Sequence, residues 1–227
     1  MKHLSSKIIM SIILAVLLVL FSSCDTTESN ETTLSLSFAS ESTLQKVNTD
    51  DFQIQEVKLL LRNIKLKNQA DEESEQVKAG PFVIDLNLNG EVTEFASSEI
   101  PPGNYDRVRF EIHKLEDSDV VPDPEFKEGT ESTQRYSAIV KGMLNGNAFT
   151  YKFEKSAEQD IKLDEDIVIG DGEAANLTLT VDPKSWFYEG DILLNPNDQA
   201  NESKIEQRMK EGFKRALKDN NHDGLND

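Results

Sequence analysis

Through most of the chain apolar and polar side chains alternate with a period of two, the spacing of half-buried strands rather than of helices. Leu34, Leu36 and Phe38 alternate with Ser35 and Ser37. Val57, Leu59 and Leu61 hold one phase and Ile64 and Leu66 the opposite one. A slip of one residue turns the buried face over, so a bulge or bend is expected near Arg62-Asn63. Phe82, Ile84, Leu86 and Leu88 form a further run, and Asn89-Gly90 predicts a hairpin into Val92 and Phe95. Val108, Phe110 and Ile112 face one way, with Arg107, Arg109, Glu111 and His113 on the other side. Residues 139–144 and 149–153 flank Asn145-Gly146-Asn147, a second predicted hairpin, and Leu177, Leu179 and Val181 make the last strong strand. Helical periodicity is nearly absent before residue 200. The predicted fold class is therefore all-β, an antiparallel β-sandwich over 34–194 with a C-terminal helix.

That helix is read from 201–218, where Ile205, Met209, Phe213, Ala216 and Leu217 fall on one stripe and Ser203 and Glu206 have capping-box spacing. Gly212 weakens it by about 1 kcal/mol relative to Ala. The segment 195–227 thus reads as a helix followed by an acidic loop, 219–227. Oxygen-bearing side chains stand at positions one, three, five and nine of that loop with Gly224 at six, the opening of an EF-hand-type calcium loop. Candidate Ca2+ ligands are Asp219, Asn221, Asp223, the Leu225 carbonyl and Asp227. The bidentate acid at position twelve is missing, and Asn226 stands where an EF-hand wants an apolar residue. The segment looks more like the short acidic calcium loops of thrombospondin type 3 repeats. Affinity on the order of 10⁻⁴–10⁻³ M is expected of such a loop. A solvated polar terminus is the plainer alternative.

The start of the chain has a different pattern. Lys2 and Lys7 precede an apolar run of 14 residues at 8–21, broken only by Ser11, and Ser22-Ser23 lead to Cys24, the single cysteine. Roughly 20 apolar residues are needed to span a bilayer, so the run fits a secretory signal instead. Leu20-Phe21-Ser22-Ser23-Cys24 resembles the lipobox of bacterial lipoproteins. That resemblance implies cleavage after 1–23 and a diacylglycerol on Cys24 that anchors the protein to a membrane of the cell envelope. The acidic residues after Cys24 resemble surface-export signals of the Gram-negative outer membrane, the expected location. Asp25 beside the cysteine resembles an inner-membrane retention signal, so the leaflet stays open. A signal peptide that happens to contain a cysteine is the alternative. Residues 24–33 are polar and acidic and read as a flexible tether.

Asp and Glu number 42 against 24 Lys and Arg, a net charge of −18. Loss of Lys2 and Lys7 with the signal would leave 22 against 42, or −20. Such a balance argues against nucleic-acid binding and against electrostatic adhesion to anionic lipid. Without a second cysteine no disulfide can form within the chain, so a core must hold the domain together.

Catalytic chemistry finds little support. The mature chain has His113 on a strand face and His222 in the acidic loop, with no serine elbow, metalloprotease helix or phosphate loop. Trp186, Phe187 and Tyr188 are the dense aromatic cluster, and Trp186 and Tyr188 are candidates either for stacking on a sugar or for plugging the core. Arg107 and Arg109 are candidates for holding an acidic ligand or for pairing with neighbouring carboxylates.

One further likeness rests on particular residues. The run Phe82-Val83-Ile84-Asp85-Leu86 with Asn89-Gly90, then Ile100-Pro101-Pro102-Gly103-Asn104-Tyr105 entering Arg107-Val108-Arg109-Phe110, resembles a bacterial lipoprotein family catalogued only as domain of unknown function 4382. Ile54-Gln55-Glu56-Val57-Lys58-Leu59 resembles its early strand, and Asn176 to Asp182 with Lys184-Ser185-Trp186-Phe187 its closing one. The likeness covers about 34–194 and implies a sandwich of immunoglobulin or transthyretin type, without an activity. Anchor, tether and sandwich together favour a non-enzymatic protein that binds or adheres to an envelope or extracellular ligand. A small envelope hydrolase acting on glycans and a pilus-like assembly subunit are the other two readings.

Overall fold

A computed structural model of the chain describes residues 31–40, 51–68 and 74–227. The signal, Cys24 and most of the tether lie outside the described residues. In chain order the strands are β1 (Thr33–Ser40), β2 (Phe52–Asn68), β3 (Ser74–Lys78), β4 (Phe82–Asp85), β5 (Thr93–Glu99), β6 (Gly103–Ile112), β7 (Ala138–Leu144), β8 (Asn147–Phe153), β9 (Ala157–Ile169), β10 (Ala174–Val181), the short pair β11 (Tyr188–Glu189) and β12 (Ile192–Leu193), and β13 (Phe213–Lys218). Helix α1 is Glu202–Glu211.

Two sheets face each other across one apolar core. The smaller is ordered β13-β10-β1-β5, and the larger is built on β2. Leu34, Leu36, Leu177 and Leu179 from the first meet Leu59, Leu66, Val108 and Phe110 from the second, each nearly or wholly removed from water. Strand β2 is the spine because its 17 residues serve four partners. Leu59 pairs with both Ile84 and Ala138, and Leu61 with both Phe82 and Ile112, so β7 and β6 share one edge of β2 while β4 and β3 take the other. The expected slip falls where the side-chain pattern puts it: Asn63 has a φ of 57°, and the β2–β6 register shifts between Arg62 and Lys65. Val57, Leu59 and Leu61 are buried before it, Ile64 and Leu66 after it.

Asn145-Gly146 turns β7 into β8 with both residues at positive φ, as the sequence predicts. Asn89-Gly90 does not make a hairpin. The turn carries the chain from the large sheet to the small one, since β4 pairs with β2 and β5 with β1. Turn chemistry specifies a reversal; it does not choose the next partner. One ladder also departs from the antiparallel expectation. β1 and β10 run parallel, and the large sheet intervenes between them in sequence, so no short connection dictates their direction.

The C-terminal helix is shorter than its periodicity suggests. It ends at Glu211, and Phe213–Lys218 pairs with β10 as the edge strand β13. Ile205 and Met209 are buried on α1, whereas Phe213, Ala216 and Leu217 are buried from a strand. An apolar residue every three to four positions fits either reading over six residues, and the free edge of β10 decides it. The expected cap is absent too: Asn201 occupies the N-cap position and Ser203 lies inside the helix.

Candidate functional site

After β10 the chain leaves the small sheet through Asp182, whose carboxylate accepts from the backbone N–H groups of Lys184 and Ser185 and so starts the 3-10 turn Pro183–Phe187. This turn aims Trp186 and Phe187 inward. Trp186 is fully buried, with ring centroids 5.7 Å from Phe153 and 6.3 Å from Phe213. Phe187 packs 5.4 Å from Phe52 and 6.0 Å from Phe149. Trp186 therefore cannot offer a face to a sugar; of the two readings the core plug holds.

Tyr188 is different. It is half-buried, one edge against Phe52 at 5.9 Å, with the Lys184 ammonium 5.3 Å from its ring centre. The β11–β12 hairpin, turned by Gly190 at a φ of 62°, stands beside it. Facing it is α1. Asp182, Lys184, Ser185, Tyr188, Gly190, Asp191 and Arg208 line an open cavity of about 480 Å3. Sequence reasoning found Tyr188 but not Arg208, Lys184, Asp182 or Asp191. Arg208 reads as one more charge on an exposed helix face, and only the docking of α1 onto the 3-10 turn brings it to the aromatic ring.

The acidic loop folds back on the small sheet, where the Asp219 N–H donates to the Asn176 carbonyl. Asp219 is fully buried. Its Oδ2 accepts from Thr178 Oγ1 at 2.7 Å and from the Gly224 N–H at 3.1 Å, and its Oδ1 from the Asp223 N–H at 2.9 Å. Asn176 Nδ2 donates to the Asp219 carbonyl, and Ser37 Oγ donates to Asn176 Oδ1. Asp223 accepts from the Leu225 N–H and from Asn221 Nδ2, while Asp227 turns to the Asn220 N–H. The loop thus closes on its own donors. Among the described residues no three His, Cys, Asp or Glu side chains gather to hold a metal ion. The set Asp219, Asn221, Asp223, Leu225 and Asp227 is thus gathered into one hydrogen-bonded clasp at the end of the small sheet.

Arg107 and Arg109 project from the outer face of β6 and both reach Asp160 on β9, at 3.2 and 2.9 Å. Pairing with a carboxylate is what they do in the folded chain. Arg109 also lines a shallow cavity of about 520 Å3 with Lys65, Glu158 and Asp160, open and polar.

A second charged constellation covers the outer face of the large sheet. Residues 113–137 leave β6 and return to β7 at one point on β2, where the His113 N–H donates to the Leu60 carbonyl and the Leu60 N–H to that of Ser137. Beneath this excursion Leu60, Leu115, Phe126, Tyr136 and Ile139 form a small separate core. Salt bridges rim it: Lys58 to Asp123 and Glu125, and Lys141 to Glu125 and Glu56. Burial pushes the Tyr136 hydroxyl up to about 12, with Glu128 beside it adding to the shift. His113 is almost completely buried, its Nε2 2.6 Å from Asp119 and its Nδ1 3.3 Å from Glu111. Burial works against ionisation of Glu111, yet Arg62 and His113 hold its carboxyl below the usual range. Both ring nitrogens of His113 are engaged by carboxylates, so the imidazole has none left for a substrate. It pins the excursion.

Comparison with known proteins adds a family. The model of a family described as a domain of unknown function, DUF4382, matches residues 23–196. No curated protein matches the chain by sequence. Solved structures similar to it include MbnP from Methylosinus trichosporium, at 8% identity over 71% of this chain and 79% of that one, with a TM-score of 0.41. A candidate cell adhesion protein from Bacteroides fragilis NCTC 9343 is similar at 9% identity, over 72% of this chain and 43% of that one, with a TM-score of 0.25.

Proposed function

The chain belongs to the DUF4382 family, and from that premise we propose a lipid-anchored protein of the bacterial cell envelope whose sandwich binds an envelope or extracellular ligand without catalysing a reaction. The observation that carries the reading is Cys24, the single thiol, placed directly after a charged start and an apolar run of 14 residues too short to span a bilayer. Acylation of that sulfur contributes about 0.8 kcal/mol per buried methylene, and two or three chains anchor stably where one does not. The acidic residues that follow would hold the sandwich away from anionic headgroups. A cavity with an aromatic wall and charged corners, at the β11–β12 end of the sandwich, suits ligand binding.

Metabolic labelling with a fatty-acid probe tests the anchor. Label is expected on the wild type and not on Cys24→Ser, which should move from the membrane to the soluble fraction. An unlabelled wild type, or a variant that still fractionates with membranes, defeats the proposal. A glycan array probed with the detergent-solubilised protein tests the binding half, and turnover on glycan or ester panels, lost on changing one carboxylate, would replace it with an envelope hydrolase. Calcium belongs to the same proposal as an addition carried by the 219–227 loop. Calorimetry at millimolar Ca2+ should show heat that Asp223→Ala abolishes, and silence removes the ion from the reading.

A further inference from the structure

The cavity between the 3-10 turn and α1 holds an unusual set of groups for a protein so acidic. Arg208 is half-buried in its wall, and among the described residues its guanidinium makes no hydrogen bond or ion pair; it acts only at a distance on the Glu189 carboxylate. A second cation, Lys184, stands over the Tyr188 ring. Asp191 is exposed at the rim and Asp182 closes the floor, with one carboxylate oxygen already accepting from the turn. Ser185 Oγ donates to the Asp182 carbonyl and keeps its own lone pairs for an incoming donor.

Each group selects a feature of the ligand. A guanidinium without a partner calls for a planar anion that can accept two parallel N–H bonds, which is a carboxylate. An aromatic ring on the cavity wall, with a cation over it, calls for the C–H face of a saturated ring. Free carboxylate oxygens call for hydroxyl donors. The charges of the cavity balance, Lys184 and Arg208 against Asp182 and Asp191, so a dianionic phosphate would meet two carboxylates while a monoanion rich in hydroxyls meets complementary groups throughout. Cavities of roughly 300–1,000 Å3 take small molecules, and this one is about 480 Å3.

From this geometry we infer that the cavity lined by Tyr188, Arg208, Lys184 and Asp191 binds a carboxylate-bearing pyranose, a uronate unit of an acidic glycan, with the carboxylate on Arg208 and the ring on Tyr188. The inference rests on the proposed binding function and names its ligand class.

Titration of the detergent-solubilised full chain with trigalacturonate, its methyl ester, maltotriose and inorganic phosphate tests it. Calorimetry supplies the affinities and the emission of Trp186, the one tryptophan of the chain, reports folding. Trigalacturonate is expected to bind at least about tenfold more tightly than its methyl ester or maltotriose, with phosphate weaker still. Arg208→Gln and Tyr188→Ala should each weaken it by about tenfold or more, Tyr188→Phe and the distant Arg107→Gln should not, and Arg208→Lys should fall between. Variants are compared only at unchanged thermal midpoint, and Arg208→Lys serves if Arg208→Gln is unstable. Equal affinity for the ester and the acid, tighter phosphate binding, or indifference to Arg208 overturns the assignment. A glycan array positive for other sugars with Arg208 irrelevant would overturn this pocket and leave the binding function standing, whereas a silent array would defeat both.

Discussion

Gly212 closes α1 against the indole of Trp186, and a Cβ at that position would run into Nε1. Among the described residues no acceptor reaches that Nε1, and packing holds the ring there. Gly212→Ala should therefore lower stability by about 1–3 kcal/mol through overpacking, read from the urea midpoint of Trp186 emission. Gly142 is similar on the large sheet, where a Cβ would meet the Gln53 carbonyl at the β2–β7 irregularity. Asp219 shows a different dependence. It is a fully buried carboxylate that satisfies three donors, and removing it leaves the Thr178 hydroxyl and the Gly224 N–H without an acceptor, while the Asp223 N–H keeps Asn221 Oδ1. Asp219→Ala is expected to cost about 1–3 kcal/mol in a denaturant titration with or without calcium, as a clasp requires. None of these roles is visible in residue type. A glycine after a helix reads as a helix end, and an aspartate followed by Asn-Asn-His-Asp-Gly reads as a cation loop.

Elements were legible where one strand carries its own signal. The phase change at Arg62-Asn63 gave the β2 bulge, and Asn145-Gly146 gave the β7–β8 hairpin, because both are consequences of local conformation. The excursion 113–137 is acidic and exposed along much of its length, yet it carries a small core of its own. Phe126 and Tyr136 hide under it, and Lys58 and Lys141 hold its acids from the sheet side. Lys58 holds the Asp123 carboxyl below its usual range, and Lys141 then Lys58 do the same for Glu125. A carboxylate depressed in the folded state contributes stability that is fully present above its unfolded value, about 4, and is lost as pH falls through the folded one. Each pair is partly exposed and worth about 1 kcal/mol or less. The thermal midpoint should accordingly drop as pH falls below about 4, and less steeply in the double variant Lys58→Met, Lys141→Met. An identical pH dependence in the two proteins would show that these pairs do not hold the excursion.

At the scale of the molecule, the sandwich does not stop where the family match stops. That match ends at residue 196, yet β13 completes the small sheet beside β10, and Ile205, Met209 and Phe213 sit in the common core. A chain cut after Pro196 should lose near-UV circular dichroism and bind a hydrophobic dye, since Trp186 and Leu179 would face water; a cooperative unfolding transition in such a chain would show that the tail is dispensable. Sequence alone determined the strand character of 34–194, the places where the chain bends, and the lone Cys24 behind an apolar run, because period and turn chemistry act between neighbours. Which strands pair, that β1 and β10 run parallel, that 213–218 leaves the helix for a sheet edge, and that Arg208 comes to stand beside Tyr188 were decided only by tertiary structure. Those choices depend on contacts between residues far apart in the chain, whose free energy exists only once the two sheets have closed on a shared core.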